Sequence, residues 1–360
     1  MAKKKEGTHF NSYDEVLDYL QKRKRTKNLL LGNGFSMAFN PNIFSYNALQ
    51  SHVAKEEDPT LEKLFDTIKT TNFEEVMQSL DILIKLAQTF EANQEFIDNI
   101  KLAYTRLQER LMVTIDKIHP EHVFKLTQPE INLCGDFINP FLSESNTGKV
   151  FSTNYDLLLY WVLMRYRDSS DDLIHCDGFG KERIDGGGQS VPAIDRIYSD
   201  DLIWGENIGT QNVFYLHGAL HLFDDRTQII KEKYDGTLIM EKIHNRIGNK
   251  QYPIFVTAGT GDEKLNHIMH NGYLADAYNN LKNISGSLIT VGFGFGDYDK
   301  HIIQAIKAAA SQSSTDCLRS VYVGVFNETD KKYIESISGE FGCKVNTFDS
   351  SKMKIWKEST

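Results

Sequence analysis

The sequence predicts an α/β fold with a Rossmann-like, mainly parallel sheet that is flanked by helices and carries an inserted helical subdomain. Three observations support this prediction. Short apolar runs alternate with segments of helical periodicity, a pattern typical of βαβ units. Several of these runs end in glycine or in a polar residue. Residues 37–128 show only helical periodicity, so we expect residues 1–360 to form a single domain with this segment inserted into it.

The first apolar run, Leu29–Leu31, leads directly into Gly32-Asn33-Gly34-Phe35-Ser36 and follows a helix predicted over residues 13–25. A glycine turn after a buried strand suits a phosphate, because the backbone can approach closely and the next helix offers free N–H groups. Ala38 and Phe39 stand where the complete G-x-G-x-x-G pattern would need more glycine. The turn alone is equally consistent with an ordinary strand–turn–helix corner.

Six further strands are predicted from apolar runs rich in β-branched and aromatic residues. They cover residues 149–153, 212–216, 253–257, 287–291, 321–325 and 344–348. A helix is predicted over residues 157–167. Residues 175–189 are polar and glycine-rich, and this stretch is too long for a simple connection, so we expect a loop or small insertion near a site.

Composition excludes several classes of protein. The chain is 41% hydrophobic and 25% charged, as expected of a soluble globular protein, and no apolar run is long enough to span a bilayer. The net charge of -9 argues against general nucleic-acid binding. The four cysteines lie far apart without a C-x-x-C pair, which argues against a zinc ribbon or disulfide framework and indicates a reducing cytoplasm. No apolar segment follows the basic N-terminus, so no secretory signal is expected.

Four predicted strands end in residues that can perform chemistry. Ser36 follows the first strand, Asn154 and Asp156 follow the second, His217 follows the third, and a glycine loop over residues 292–297 follows the fifth. The carboxyl ends of parallel strands line one crevice in an open sheet. We therefore expect these groups to converge at one edge.

Each of these polar residues also has a structural explanation. His217 is the best candidate for a general base, because a neutral imidazole accepts protons near neutral pH, yet it would also suit a strand end. Asn154 offers both a carbonyl and an amide, or it caps a turn or helix. Asp156 either contacts a ligand or lies in the first turn of a helix, where acid is favourable. Asp297 either binds a ribose hydroxyl or, as we favour, caps a helix that begins at Tyr298.

A metal site is not expected. His217 and His221 lie four residues apart and could bracket a metal on a helix. No glutamate follows His217 as it would in H-E-x-x-H, and no cysteine pair is present.

The motifs, taken in order, resemble those of the sirtuin family. The turn at residues 32–36 resembles the sirtuin Gly-Ala-Gly-x-Ser loop, and Thr-Asn-Tyr-Asp-Leu-Leu at residues 153–158 resembles Gln-Asn-Ile-Asp-x-Leu. Leu-His-Gly at residues 216–218 is shared, and residues 292–294 fall where the late Gly-x-Ser loop would fall. The motif sequences most resemble those of the bacterial sirtuin-like NADases of anti-phage defence. The resemblance covers about residues 28–326, interrupted by the helical insertion.

The sequence also departs from the sirtuin deacetylases. The paired cysteine motifs for a structural zinc are missing, and no Asp-x-Arg follows the first glycine turn, although Phe44 is a possible aromatic counterpart. Thr153 replaces the Gln before the Asn, and Gly294 replaces the late Ser. These departures argue against protein deacetylation and favour hydrolysis of the glycosidic bond by water.

The resemblance implies a cytoplasmic NAD hydrolase whose sirtuin-like domain binds NAD as substrate. It implies catalytic roles for Asn154, His217 and Asp156. The NAD-binding residues it implies are Gly32, Asn33, Gly34, Phe35, Ser36, Thr153, Gly292, Phe293, Gly294 and Asp297.

The resemblance further implies antiviral defence by abortive infection, in which NAD is depleted when a protein partner or a homo-oligomer releases the activity. Nucleic acid would take part only indirectly, if at all. Two alternatives remain open: an ADP-ribosyltransferase or deacylase on the same fold, and a non-catalytic sensor that binds NAD or an ADP-ribose derivative.

Overall fold

The computed structural model describes most of the chain, and the statements below concern those residues. They are residues 7–44, 58–69, 73–119, 125–143, 146, 148–169, 173–180, 202–205, 207–225, 227–233, 238–249, 251–256, 260–312 and 316–357. Residues 181–189 of the predicted glycine-rich loop lie outside the described ranges.

The strands are numbered in chain order. They are β1 His9–Phe10, β2 Lys27–Leu31, β3 Val150–Ser152, β4 Leu202–Ile203, β5 Val213–Tyr215, β6 Gly218–Asp224, β7 Ile229–Lys231, β8 Pro253–Phe255, β9 Gly286–Val291, β10 Leu318–Val325 and β11 Lys344–Asp349.

The α-helices are numbered in the same way. They are α1 Tyr13–Lys22, α2 Asn33–Phe39, α3 Pro41–Phe44, α4 Pro59–Ile68, α5 Phe73–Thr89, α6 Gln94–Ile118, α7 Gln128–Leu142, α8 Leu158–Ser169, α9 Ile239–Gly248, α10 Gly261–Met269, α11 Gly272–Lys282, α12 Lys300–Ala310 and α13 Glu328–Ile337.

The central sheet has seven strands in the order β1-β11-β10-β9-β2-β3-β5, and all its neighbouring strands pair in parallel. Every residue of β2 is buried, as expected for a strand that helices cover on both faces. The α/β fold with a mainly parallel, Rossmann-like sheet is thereby confirmed.

The strand order places a crevice at the centre of this sheet. From β2 the chain moves outward to β3 and β5, and it later returns through β9 on the other side of β2 before continuing to β10 and β11. The connections after β2 and β9 therefore diverge. In open parallel sheets, ligands bind outside the carboxyl ends of strands at such a reversal of strand order.

A second sheet was not expected. It has the order β4-β7-β6-β8 and is antiparallel. The predicted strand at residues 253–257 corresponds to β8, so its assignment to the parallel sheet is wrong. Strand β6 was missed because its sequence, Gly-Ala-Leu-His-Leu-Phe-Asp, follows β5 after only two residues and shows no helix between them, unlike a βαβ unit.

The described part of the segment between β2 and β3 consists of helices and the short connections between them. Helices α2 to α7 occupy it, and no strand occurs in its described ranges. His119, at the end of α6, accepts a hydrogen bond from the N–H of Leu157 at 2.9 Å, and its ring packs edge-on against Trp161. The inserted helices are thus tied to the start of α8, directly after the Asn154–Asp156 loop.

Within the described ranges, no helix has the length and apolar composition needed to cross a bilayer.

Candidate functional site

Two glycine turns meet backbone to backbone at the carboxyl ends of β2 and β9. The Gly32 N–H donates to the Val291 carbonyl at 3.0 Å, and the Gly34 N–H donates to the Gly292 carbonyl at 2.9 Å. A Cβ atom on Gly32 would lie 2.5 Å from the Gly292 oxygen, and one on Gly34 would lie 2.6 Å from the Gly292 Cα. Gly292 itself has φ +68°, a conformation that favours glycine. The contact between the turns therefore requires glycine on both sides.

This contact changes the interpretation of the first turn. The N–H groups of Gly32 and Gly34 are taken by carbonyls of the neighbouring turn, and the Phe35 N–H donates to the Gly32 carbonyl at 2.9 Å. The expectation that these groups are free for a phosphate is therefore wrong for all three. Packing, rather than a ligand, explains why Gly32 and Gly34 are glycines.

Asn154, Ser36 and Asp156 form one buried hydrogen-bond network beside this contact. The Asn154 amide nitrogen donates to the Gly32 carbonyl at 3.1 Å and to the Ser36 hydroxyl oxygen at 2.8 Å. The Ser36 hydroxyl in turn donates to the Asp156 carboxylate at 2.5 Å. Both amide hydrogens of Asn154 are thus used within the protein, so its carbonyl oxygen is the group left to accept a hydrogen bond from a ligand.

Asp156 is the hydrogen-bond acceptor at the end of this network. It accepts hydrogen bonds from the Ser36 hydroxyl and from the N–H of Leu158 at 2.9 Å. Burial nevertheless raises the pKa of Asp156 above its usual value, because desolvation of the carboxylate outweighs the hydrogen bonds that lower it. Asp156 therefore lies behind Ser36 and positions it.

His217 lies at the matching place on the neighbouring strand. Ser152 and Tyr215 are paired in the register of β3 and β5, and Asn154 and His217 each lie two residues further on. Gly218, with φ +84°, then turns the chain into the second sheet, where a Cβ would collide with the Ile254 carbonyl. The sharp turn brings His217 to the crevice edge, with only 3% of its surface exposed.

The closest partner of His217 is a second histidine that sequence reasoning missed. The Nε2 atoms of His217 and His301 lie 2.9 Å apart, and His301 is fully buried in the first turn of α12. Nearby, the buried Lys264 binds the Asp299 carboxylate at 3.3 Å. Burial, followed by His301 and Lys264, holds the pKa of His217 well below its usual range. Burial and Lys264 lower the pKa of His301 to about 3.

Within the described ranges, one cluster of His, Cys, Asp or Glu side chains is close enough to hold a metal ion. One potential ligand atom each from His217, Asp299 and His301 falls within 4.8 Å of the others, and two imidazoles with a carboxylate can bind a transition metal. The positive charge of Lys264, bound to that carboxylate, opposes a second cation at the same place. The donor set is suitable, but its electrostatic surroundings are not.

His217 and His221 do not lie on a common helix, so they do not bracket a metal in that way. Residues 218–224 form the extended strand β6, so the two histidines are not placed one helical turn apart. His221 is fully buried and stacks on Tyr160 with ring centroids 4.7 Å apart. His221 therefore contributes to the packing of β6 against α8.

The loop after β9 forms the other wall of the crevice. Phe295 has φ +53°, an uncommon conformation for a bulky residue that concentrates at functional sites, and Tyr333 donates to its carbonyl at 2.8 Å. Phe293 is buried against the Phe295 ring. By contrast, a Cβ on Gly294 would meet nothing within 4 Å. Gly294 therefore leaves room for a ligand without being needed for packing.

Asp297 does not cap a helix at Tyr298. It is the first residue of a 3₁₀ turn over Asp297–Asp299 whose N-cap is Gly296, and α12 begins at Lys300. The Asp297 side chain is 80% exposed and pairs with Lys300 at 2.9 Å. Because the Asp297 carboxylate takes no part in the buried hydrogen-bond networks, its role at a ribose hydroxyl stays a prediction.

The remaining predicted binding residues lie in the same region with structural partners. The Thr153 hydroxyl donates to the Leu31 carbonyl at 3.2 Å. The Asn33 amide donates to the Phe44 carbonyl at 3.3 Å, which ties the first turn to α3. Phe35 is buried and packs against Trp356, whose indole N–H donates to the Phe35 carbonyl at 2.9 Å.

Three residues of the site were not foreseen from sequence: His301, Asp299 and Lys264. His301 had a weak signal, because it follows the last glycine loop within the first turn of a predicted helix. Lys264 had none, since it stands in a helix of mixed polarity. A separate cavity of about 250 Å³, lined by Glu109, Tyr252 and other residues, contains none of the candidate site residues.

Asp156 provides a test of the buried network through stability. Its folded pKa is raised, so the folded state holds the proton more tightly than the unfolded chain, and stability falls as pH rises from about 4 through the folded pKa. Asp156→Asn removes the charge but keeps an acceptor for Ser36. We expect the variant to gain free energy of unfolding relative to the wild type as pH rises from acid to neutral, measured by urea denaturation.

The control for this measurement is Asp66→Asn, at an exposed position of α4, whose effect should stay small and nearly constant with pH. If the difference between Asp156→Asn and the wild type were independent of pH, Asp156 would not be held in a desolvated state.

Elemental analysis provides a test of the metal interpretation. Because Lys264 already neutralises Asp299 and no cysteine pair is present, we expect the purified protein to contain no stoichiometric zinc. Zinc at one equivalent, whose removal by a chelator also lowers the melting temperature, would contradict this expectation.

Comparison with protein families matches nearly the whole chain to one family. The model of a domain of unknown function, DUF4917, covers residues 29–356, from β2 to Trp356, and includes every candidate site residue discussed above. No curated protein matches the sequence. The chain belongs to the DUF4917 family.

Proposed function

We propose that the protein is a NAD hydrolase that cleaves the nicotinamide–ribose bond and releases nicotinamide and ADP-ribose. The observation that carries this proposal is the placement of Asn154 and His217 two residues beyond paired positions of adjacent parallel strands. A carbonyl acceptor and a neutral imidazole are thereby presented at one edge of the sheet. The resemblance of the motifs to sirtuin-like NADases supports NAD as the substrate.

The chemistry requires a water molecule and a proton acceptor. As the glycosidic bond breaks, its electron pair moves onto the nicotinamide nitrogen, which becomes neutral, and the ribose gains oxocarbenium character. The water oxygen bonds to the ribose carbon, and its proton passes to His217. Asn154 accepts a hydrogen bond from the water or a ribose hydroxyl through its carbonyl oxygen, since its amide hydrogens are already bonded.

The environment of His217 suits a base. Its low pKa favours a neutral imidazole at physiological pH, in which one ring nitrogen carries a lone pair. A lowered pKa also weakens the base, so the acceleration comes mainly from holding it in position. The ordered hydrogen bonds of Asn154 provide the same pre-organisation on the other side of the reacting ribose.

NAD would lie across the carboxyl ends of β2, β3, β5 and β9. In this arrangement the pyrophosphate lies along residues 32–36, and the adenosine ribose lies near Gly292–Gly294, with Asp297 and Thr153 at its edges. The open space at Gly294 supports approach from the side of the last loop. The bonded N–H groups of the first turn favour phosphate contact through Asn33 rather than through the glycines.

The biological role is proposed from the resemblance. NAD depletion would make the protein a toxic effector of bacterial anti-phage defence in the cytoplasm, held off until a protein partner or a change in assembly state releases it.

A non-catalytic sensor of NAD or ADP-ribose is the second candidate. The burial of His217 and the bonded N–H groups of the first turn favour it, because both restrict access to the reacting atoms. Incubation of the protein with NAD, followed by chromatography, separates the two functions: a sensor would return NAD unchanged.

Substitution of the two reacting groups tests the hydrolase. Asn154→Ala and His217→Ala leave the glycine contact intact and should retain NAD binding. Loss of a positioned general base typically lowers the rate about 10²–10⁴-fold, so we expect at least that loss of nicotinamide release, measured by chromatography.

His267→Ala, at an exposed position of α10, is the matched histidine control and should behave as wild type. Melting curves of all variants come first, because a misfolded variant would also be inactive. Wild-type hydrolysis by a folded His217→Ala variant would remove His217 from the mechanism.

Substitution of Gly294 tests where NAD binds. A Cβ there meets no protein atom within 4 Å, so a valine should obstruct mainly the ligand. We expect NAD affinity to fall at least about tenfold, or 1.4 kcal/mol, by calorimetry. Gly248→Val, also in open space but at the end of α9, should bind as the wild type does. Gly34 is unsuitable for this test because a side chain there would strike Gly292. Unchanged affinity in Gly294→Val would exclude this loop from the binding site.

A further inference from the structure

The contact between His217 and His301 restricts which ring nitrogens can carry a hydrogen. Two Nε2 atoms 2.9 Å apart in a buried setting can form a hydrogen bond only if one of them carries a hydrogen and the other a lone pair. His301 is fully buried, and its Nδ1 atom has no hydrogen-bond partner among the described residues. Its contact with His217 is therefore the one hydrogen bond that its ring makes there.

Burial disfavours charge on either imidazole, and the nearby positive charge of Lys264 acts in the same direction. We therefore expect both rings of this pair to be neutral. Asp299, whose carboxylate has an oxygen within 4.8 Å of a ring nitrogen of each histidine, is bound to Lys264. With both rings neutral, a single hydrogen lies between the two Nε2 atoms, and two arrangements are possible.

The two arrangements differ in whether His217 keeps a lone pair that can act on the substrate. If His301 donates, the only lone pair of His217 is consumed at Nε2, and its Nδ1 carries hydrogen, so His217 is no base. If His217 donates, its Nδ1 keeps a lone pair that can take a proton. Either arrangement leaves His301 Nδ1 unpaired, as an acceptor in the first and as a donor in the second.

We propose that His301 is a positioning residue that accepts the Nε2–H of His217 and so leaves Nδ1 of His217 as the base toward the crevice. The proposal rests on the hydrolase function proposed above. His301 then takes the place that an orienting third group takes beside a nucleophile and its base, where it selects the tautomer and fixes the ring. In the reaction, the water proton goes to Nδ1 of His217, and the Nε2–H bond to His301 keeps the ring oriented.

Two substitutions at His301 separate this role from a structural one. His301→Gln supplies a side-chain oxygen at a similar reach and can still accept the Nε2–H, whereas His301→Leu fills a similar volume with no acceptor. We expect His301→Gln to retain kcat within about tenfold and His301→Leu to lose about 10²–10⁴-fold in kcat, as for loss of general-base assistance. KM for NAD should change little in both, and His267→Gln serves as the control. Equal kcat in the two His301 variants, once both are shown to be folded, would overturn the proposal.

The pH profile adds a readout that packing alone would not move. His301 is one of the causes that lower the pKa of His217, with Lys264 acting in the same direction. In His301→Gln, Lys264 and Asp299 stay in place, so the pKa of His217 should rise part of the way and the acid limb of kcat against pH should move to higher pH. An unmoved acid limb would count against direct coupling of the two rings.

The tautomers can be measured without any enzymatic activity. Long-range proton–nitrogen NMR of ¹⁵N-histidine-labelled protein reports which ring nitrogens carry hydrogen, and the His217→Gln and His301→Gln variants assign the signals. We expect His217 protonated at Nε2 and His301 at Nδ1. The reverse pattern, or hydrogen at Nδ1 of both rings as in two ligands of a cation, would overturn the proposal. The expected tautomers in a protein that leaves NAD intact would support the pairing and count against the hydrolase instead.

Discussion

The backbone contact between the glycine turns after β2 and β9 is the constraint on which the rest of the site depends. Two N–H···O=C bonds join the turns, and three glycines allow the approach. The Gly32 carbonyl, held in this contact, receives the Asn154 amide. The second turn leads through the loop at residues 293–299 to His301 on α12. Both polar networks of the site are therefore positioned from one junction, at the place where the strand order reverses.

Polar groups gathered in a buried place are costly unless they are bonded. Here Asn154, Ser36 and Asp156 satisfy one another in a chain, and His217 pairs with His301. Because these groups are buried, each bond is stronger than it would be in water, and each side chain has few alternative positions. The same burial raises the pKa of Asp156 and lowers those of the histidines. A site built in this way is pre-organised, but it leaves a narrow approach for a ligand.

Sequence patterns located the parallel strands well, because a strand covered by helices on both faces must be a short apolar run. Strands β2, β3, β5, β9, β10 and β11 all overlap their predicted positions. The pattern failed where this rule does not apply. β8 and β6 are also short and apolar, but they pair in an antiparallel sheet, and nothing in a local run reveals its partner. β1 has only two residues, too few for a periodic signal.

The sequence by itself determined the fold class and which strand ends carry Asn154, Asp156 and His217, because local periodicity encodes strands and the direction of parallel strands gathers their ends. It also supplied the glycines, although not the reason for them. Only the tertiary structure decided that Gly32 and Gly34 serve a backbone contact, that Asp156 lies behind Ser36, and that His301 meets His217. These are contacts between residues up to 260 positions apart, as between Gly32 and Gly292. They depend on strand order and on the packing of α12 against the sheet, which no local pattern specifies.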